Sequence, residues 1–346
     1  MFGRGLVMEK DWTYSKSGVD IDKKSCVIAA LVGGLKCSRD GVGRVMHAKN
    51  LFAGLIDFGD KYLTMATDGV GTKILVAKEL GIWDTIGIDC IAMNVNDTIC
   101  VGAEPVSFVD YIAVDKPDEK IFESIGCGLS EGAILSNIEV AGGEVAILPE
   151  MVNGLDISGT CLGYVSKDKV ITGSKCSKGD LIVSLKSSGI HSNGLTLARK
   201  VFESAGYKLT EKISGLSKSI GEELLIPTEI YVKQILDILK KYTVHGLVDI
   251  TGGGLRNILR MNPRCRYNIN DPIKPNPIFK KIQEIGNISM KEAYQTFNMG
   301  MGFDIIAPEE DAESIVKEWK NAKITGVVED GEGVSCNSGS VLYDHY

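Results

Sequence analysis

Two rhythms of apolar positions alternate along the chain. Short apolar or alternating runs predict strands at Tyr62–Ala66, Pro105–Val114, Ile138–Ala141, Ile157–Val165 and Leu181–Leu185. Helical spacing appears between them. Cys26–Gly33 carries Val27, Ile28, Leu31 and Val32 on one face, and a helix from Lys73 reaches about Leu80, where Gly81 is placed to end it. Another spans Asp89–Val101, and Asp118 caps one that buries Ile121, Phe122, Ile125, Leu129 and Ala133. The second half adds helices with Leu195, Leu197, Ala198, Val201 and Phe202, over Thr228–Tyr242, near 278–285, and from Ala307–Asp311 onward. This alternation predicts an α/β to α+β fold. The polar stretch Ser166–Asp180 marks a boundary between domains 1–167 and 168–346. Residues 14–25 form a polar arm and 36–50 a glycine-containing loop, readable as solvated surface or as a lid over a site.

Composition narrows the function classes. A chain of 346 residues supports about two domains with full cores, and 44% hydrophobic with 24% charged residues is ordinary for a globular protein. The net charge of −7 argues against nucleic acid as a partner. No apolar run approaches the ~20 residues that span a bilayer, so no membrane partner is expected. Met1–Trp12 lacks the apolar core of a signal peptide, and Met8 is an alternative start. Nine scattered cysteines without a C-x-x-C pair point to reduced thiols and a cytoplasmic protein.

Candidate chemistry gathers where strands meet glycines. Thr67-Asp68-Gly69-Val70-Gly71-Thr72-Lys73 follows a predicted strand. Its glycines let backbone N–H groups approach an anion, Asp68 offers a hard oxygen to Mg²⁺, and Lys73 offers a point charge to phosphate. A plain strand-ending turn has the same composition. Asn94 and Asp97 share one helix face, and an Asp in so apolar a helix needs a partner or a metal. The predicted strand 138–141 runs into a Gly142-Gly143-Glu144 turn. Asp68, Asp97 and Glu144 thus follow three separate elements and are candidates to converge on Mg²⁺. Ser188, His191, Ser192 and Asn193 stand at a helix entrance, which suits either an anion pocket or an N-cap with a surface histidine. Gly252-Gly253-Gly254, between a strand and a helix, suggests close approach to a ligand.

Ten blocks in order carry a resemblance. They are S-G-V-D-I-D at 17–22, T-D-G-V-G-T-K at 67–73, D-T-I-G-I-D at 84–89, V-N-D at 95–97, G-A-E-P at 102–105, A-G-G-E at 141–144, S-S-G-I-H-S-N-G at 187–194, P-T-E-I-Y-V-K at 227–233, H-G-L-V-D-I-T-G-G-G at 245–254 and Y-Q-T-F-N-M-G-M-G at 294–302. Together the chain resembles the phosphoribosylformylglycinamidine cyclo-ligase (AIR synthetase) family over about residues 14–308. It departs from many relatives after Glu144, where Val145 stands instead of threonine, and in a less glycine-rich loop at 41–55.

The resemblance implies an N-terminal ATP-binding domain whose strands join a second subunit's in a shared barrel, and an α+β C-terminal domain with the active site between them. It implies a homodimer that closes formylglycinamidine ribonucleotide to aminoimidazole ribonucleotide with ATP and Mg²⁺. By the same resemblance, Asp68, Asp97 and Glu144 hold Mg²⁺, and Lys73 adds charge. Gly69, Gly71, Thr72, Asn94, Gly142, Gly143, Thr251 and Gly252–Gly254 meet ATP or its phosphates. Ser188, His191, Ser192 and Asn193 meet the ribonucleotide, and His191 or His245 moves a proton. Superfamily relatives are the rivals. A selenophosphate synthetase calls for a reactive Cys in the N-terminal arm, a hydrogenase-maturation ATPase for a terminal Cys, and thiamine-monophosphate kinase for paired aspartates after the first strand. A non-catalytic nucleotide-binding regulator is expected to lose some of the carboxylates or Lys73.

Overall fold

The structure is a computed structural model that describes residues 11–46 and 50–345. Met1, Met8 and residues 47–49 of the predicted lid loop lie outside the described residues.

The N-terminal half runs α1 (Ile21–Gly34), β1 (Val45–Met46), β2 (Gly54–Phe58), β3 (Lys61–Gly69), α2 (Lys73–Leu80), α3 (Asp84–Ile99), β4 (Glu104–Val114), α4 (Glu119–Ser136), β5 (Glu139–Ile147) and β6 (Leu155–Ser166). Its strands form one sheet in the order β1-β2-β3-β6-β4-β5. Only β4 and β5 are parallel neighbours, joined by the α4 crossover. Helices α3 and α4 lie on one face, around a core that includes Ile91, Val95, Phe108 and Ile125. The two helices approach closely because Gly87 and Gly128 face each other; a Cβ on either would overlap the other helix's backbone. Among the described residues, the opposite face of the sheet exposes Met65, Val109 and Tyr111.

Four expectations need correction. Helix α1 begins at Ile21, not about Cys26, so the end of the 14–25 arm is helical, and its Val27, Ile28, Leu31 and Val32 are exposed. Helix α3 begins at Asp84, not Asp89, so all of D-T-I-G-I-D is helical. Gly142-Gly143 is not a turn: β5 runs through it to Ile147, with a register shift against β4 at Phe108/Val109. The predicted helix over Thr228–Tyr242 starts only at Val232, because Thr228 and Tyr231 donate their backbone N–H groups to Asp89 and Asn96 of α3 instead.

The C-terminal half runs β7 (Leu181–Lys186), α5 (Leu195–Ser204), α6 (Ile220–Leu224), α7 (Val232–Lys241), β8 (Gly246–Asp249), β9 (Cys265–Ile269), α8 (Pro277–Gly286), α9 (Met290–Thr296), β10 (Met301–Ala307), α10 (Glu309–Glu318), β11 (Ala322–Asp330), β12 (Gly333–Cys336) and β13 (Val341–Tyr343). Its sheet order is β13-β12-β9-β11-β7-β10-β8. Helix α7 packs on α3 and α4, joining the two halves. The N-terminal arm also crosses between them. Trp12 N–H donates to the Gly286 carbonyl at 3.2 Å, and Tyr14 N–H to the Glu292 carboxylate at 2.6 Å.

Candidate active site

A cleft of about 470 Å³ opens between the two halves. Strand β3 delivers Asp68 and Gly69 to its floor, and Gly71, at φ +66°, turns the chain toward α2. Asn94 of α3 holds that turn by its backbone. Its side-chain oxygen accepts from Asp68 N–H at 2.8 Å, and its amide donates to the Asp68 carbonyl at 3.2 Å. One helical turn further, Asp97 faces the same cleft, with Oδ1 buried and without a hydrogen-bond partner in the chain. Burial first, then the charge of Asp68, pushes the Asp97 carboxyl up to about 8.

The far wall belongs to the C-terminal half: Ser192, Asn193, Thr196, Thr251 and Gly252. The Asn193 side-chain nitrogen is buried there without a protein partner. Behind it, at the end of β8, Asp249 is buried and held well above the usual carboxylate range by burial and by Asp97 and Asp68. Cationic charge comes from Lys24 and from Arg260, whose guanidinium lies 4.3 Å over the Phe52 ring.

Other expected site residues lie elsewhere. Lys73 is fully buried and turned from the cleft, its ammonium 2.8 Å from Asp89 and 2.7 Å from the Ile226 carbonyl, so it presents no charge to a phosphate. Glu144 is exposed on β5, in register with Tyr111 on the sheet face opposite the helices, and accepts from its neighbour Val145 N–H. Within one chain it cannot meet Asp68 and Asp97. Gly142 and Gly143 share that strand. Ser188 donates its hydroxyl to the Pro227 carbonyl at 2.6 Å. Gly254 serves packing, since a Cβ there would overlap the Tyr294 carbonyl, and Gly253 takes a left-handed backbone at φ +104°.

Neither histidine is placed for proton transfer in the cleft. His191 is buried in a left-handed backbone, φ +61°, and burial followed by the Lys73 charge drives its imidazole down to about 3. It is neutral at any physiological pH. His245 pairs with Asp180 at 2.8 Å and lines a separate cavity of about 270 Å³ with Lys169, Thr172 and Tyr242.

Sequence reading passed over Tyr14, Lys24, Phe52, Thr196, Asp249 and Arg260. Asp249 carried a usable signal, a strand-end carboxylate before a glycine turn, as at Asp68. The others carried none, because they come from the N-terminal arm and its helix, a loop and helix ends.

Among the described residues, no group of three or more His, Cys, Asp or Glu is close enough to hold a metal alone. That suits Mg²⁺, which takes one or two carboxylates and completes its shell with water and substrate phosphates. The orphaned Asp97 oxygen beside Asp68 is a place where such a cation would fit.

Comparisons with known proteins show the family. The AIR synthase related protein N-terminal domain matches residues 52–165, and the corresponding C-terminal domain matches 177–337. The phosphoribosylformylglycinamidine cyclo-ligase of Methanococcoides burtonii is 50% identical over 325 residues, 93% of this chain and 97% of its own. That of Methanocaldococcus jannaschii is 49% identical over 308 residues, 88% of this chain and 87% of its own.

The chain belongs to the AIR synthetase family.

More distant likenesses of this AIR synthetase family member show the fold alone. Thiamine monophosphate kinase from Aquifex aeolicus superposes with a TM-score of 0.60 at 18% identity, covering 90% of this chain and 96% of that one. The hydrogenase maturation protein HypE in complex with ATP superposes at 0.57 and 18%, covering 82% and 85%.

Proposed function

We infer that this family member closes formylglycinamidine ribonucleotide to 5-aminoimidazole ribonucleotide, converting ATP to ADP and phosphate in purine biosynthesis. Family membership supports the reaction, and the single structural observation that carries the site is the orphaned Asp97 carboxylate beside Asp68. An amide oxygen is a poor leaving group. Transfer of the γ-phosphoryl group to the formyl oxygen converts it to a phosphate ester of the imidic acid. The amidine nitrogen that bears the ribose then attacks the formyl carbon, its proton is lost, and the C–O bond breaks to release phosphate.

Phosphoryl transfer asks the protein mainly for position and charge compensation. Asp68 and Asp97 would hold Mg²⁺, which neutralises phosphate charge when bound. The Gly71 and Thr72 N–H groups of the turn are suited to phosphate oxygens, those of Gly69 and Val70 being taken by Asp68 Oδ1 and the Ile157 carbonyl, and Lys24 and Arg260 supply the cationic charge first expected of Lys73. Ser192, Asn193 and Thr251 offer polar groups to the ribonucleotide from the other wall.

A homodimer through the exposed face of the N-terminal sheet belongs to the same reading. Met65, Val109 and Tyr111 are 49%, 43% and 45% exposed on that face, an apolar patch of the kind that marks interaction surfaces. Cytoplasmic residence fits nine cysteines that are all free thiols, and no described helix is long and apolar enough to cross a membrane. The test mixes the purified protein with formylglycinamidine ribonucleotide, Mg²⁺ and ATP and measures aminoimidazole and ADP together. Equal formation of both, absent in Asp97→Asn, is expected; ATP hydrolysis without aminoimidazole would reject the reaction.

A further inference from the structure

Lys73 closes the glycine motif that begins with Asp68, yet both it and its partner Asp89 have no exposed side-chain surface. A fully buried ammonium is costly unless paired and hydrogen-bonded. Here the ion pair and its hydrogen bonds span both domains. The ammonium lies 2.9 and 2.8 Å from the two Asp89 oxygens, and 2.7 Å from the Ile226 carbonyl of the C-terminal domain. Asp89 Oδ1 in turn accepts from Thr228 N–H at 2.7 Å, the Thr228 hydroxyl at 2.6 Å and the Ser192 hydroxyl at 3.1 Å. Four donors from three chain segments therefore meet one carboxylate oxygen. Just before Lys73, the Thr72 hydroxyl bonds that of Thr196 at 2.9 Å, again across the domains. Thr72, Ser192 and Thr196 line the cleft, so this polar knot sits directly behind the site.

We propose that Lys73 and Asp89 are positioning residues, a buried pin that sets the distance between the phosphate turn of one domain and the Ser192–Asn193 wall of the other. The assignment rests on the proposed cyclisation only for its effect on turnover. The pin's job is to hold the Ser192–Asn193 wall in place, with the Ser192 hydroxyl tied to Asp89, while Gly69–Thr72 stays opposite it. The ammonium reaches no ligand. Without Lys73, Asp89 is left as a buried unpaired charge and releases Thr228 and Ser192 to find water.

The experiment uses the full-length protein, Lys73→Met, Lys73→Met/Asp89→Leu, and the milder Thr228→Val. Three readouts are independent of cyclisation: thermal midpoint, hydrogen exchange of peptides covering 189–194 and 225–231, and Mg·ATP affinity by calorimetry. Lys73→Met is expected to lower the midpoint by about 10 °C. It should also speed exchange in both peptides and cut kcat at least ~10-fold, with Mg·ATP affinity held within ~3-fold. The double variant recovers the midpoint by removing the orphaned charge, but not kcat, because Thr228 and Ser192 stay unanchored. Should Lys73→Met not fold, Thr228→Val must still speed exchange at 189–194. A tenfold or larger loss of Mg·ATP affinity with unchanged midpoint and exchange would overturn the proposal and return Lys73 to the phosphates. Unchanged exchange in every variant overturns it as well. If the wild-type protein makes no aminoimidazole, the cyclisation reading falls, while exchange and nucleotide affinity still judge the pin.

Discussion

Asp68 and Lys73 stand five residues apart in one motif and live in opposite environments. Asp68 opens to the cleft beside Asp97, where two carboxyl groups face each other and one buried oxygen has no partner. Lys73, across the turn, is sealed in a knot in which opposite charges and neutral donors satisfy one another. The first arrangement has room for a cation, as the proposed function requires; the second pairs its charges within the chain and uses them to hold two domains together. A motif that reads as one phosphate station is, in three dimensions, a site and the bolt behind it.

The sharpest way to break this contrast is to remove one carboxylate from each region. Asp97→Asn should abolish cyclisation by ~10³-fold or more while the thermal midpoint holds or rises, since it relieves repulsion with Asp68. Asp89→Leu should do the reverse in stability, costing about 3–5 kcal/mol by leaving Lys73 buried and unpaired. Chemical denaturation of both variants decides it, and a stable Asp89→Leu protein would contradict the knot. A smaller effect is expected of pH. Cation binding requires the Asp97 carboxylate, whose proton is held up to about 8, so Mg·ATP affinity should rise as pH climbs from 6 toward 8 and level off beyond. The gain is at most ~10-fold per pH unit, and calorimetry should find it lost in Asp97→Asn. The same carboxyl opposes folding of the metal-free protein as pH rises. Its folded value exceeds the unfolded one, so its contribution is full below about 4 and gone above 8. Smallest of all, His245→Ala should change kcat by less than ~2-fold, since its imidazole serves Asp180 outside the cleft; a loss beyond ~10² would restore it as a proton carrier.

Much of the fold was legible because its signals are local. Gly81, in the left-handed region, ends α2, and Asp118 caps α4 with its side chain on Lys120 and Ile121 N–H. The D-G-x-G turn marked one wall of the cleft and S-N-G the other, since glycine and Asx chemistry at strand and helix ends is written in adjacent residues. The errors arose where a distant partner overrode local preference. Helix α7 starts late because α3 takes the Thr228 and Tyr231 N–H groups, and β5 continues through two glycines because β4 lies alongside.

By itself, then, the sequence determined the order of elements, the presence of two domains and the residue types available for phosphate chemistry, because composition, periodicity and motif order are properties of the chain alone. Which of those residues face the cleft was decided only by tertiary structure. Glu144 lies on the wrong side of a sheet, His191 is held neutral in the core, and Lys73 is captured by Asp89 and by a carbonyl 153 residues away. A side chain's role follows from its dielectric surroundings and its hydrogen-bond partners, and both are assembled from segments that meet only when the two domains close on each other.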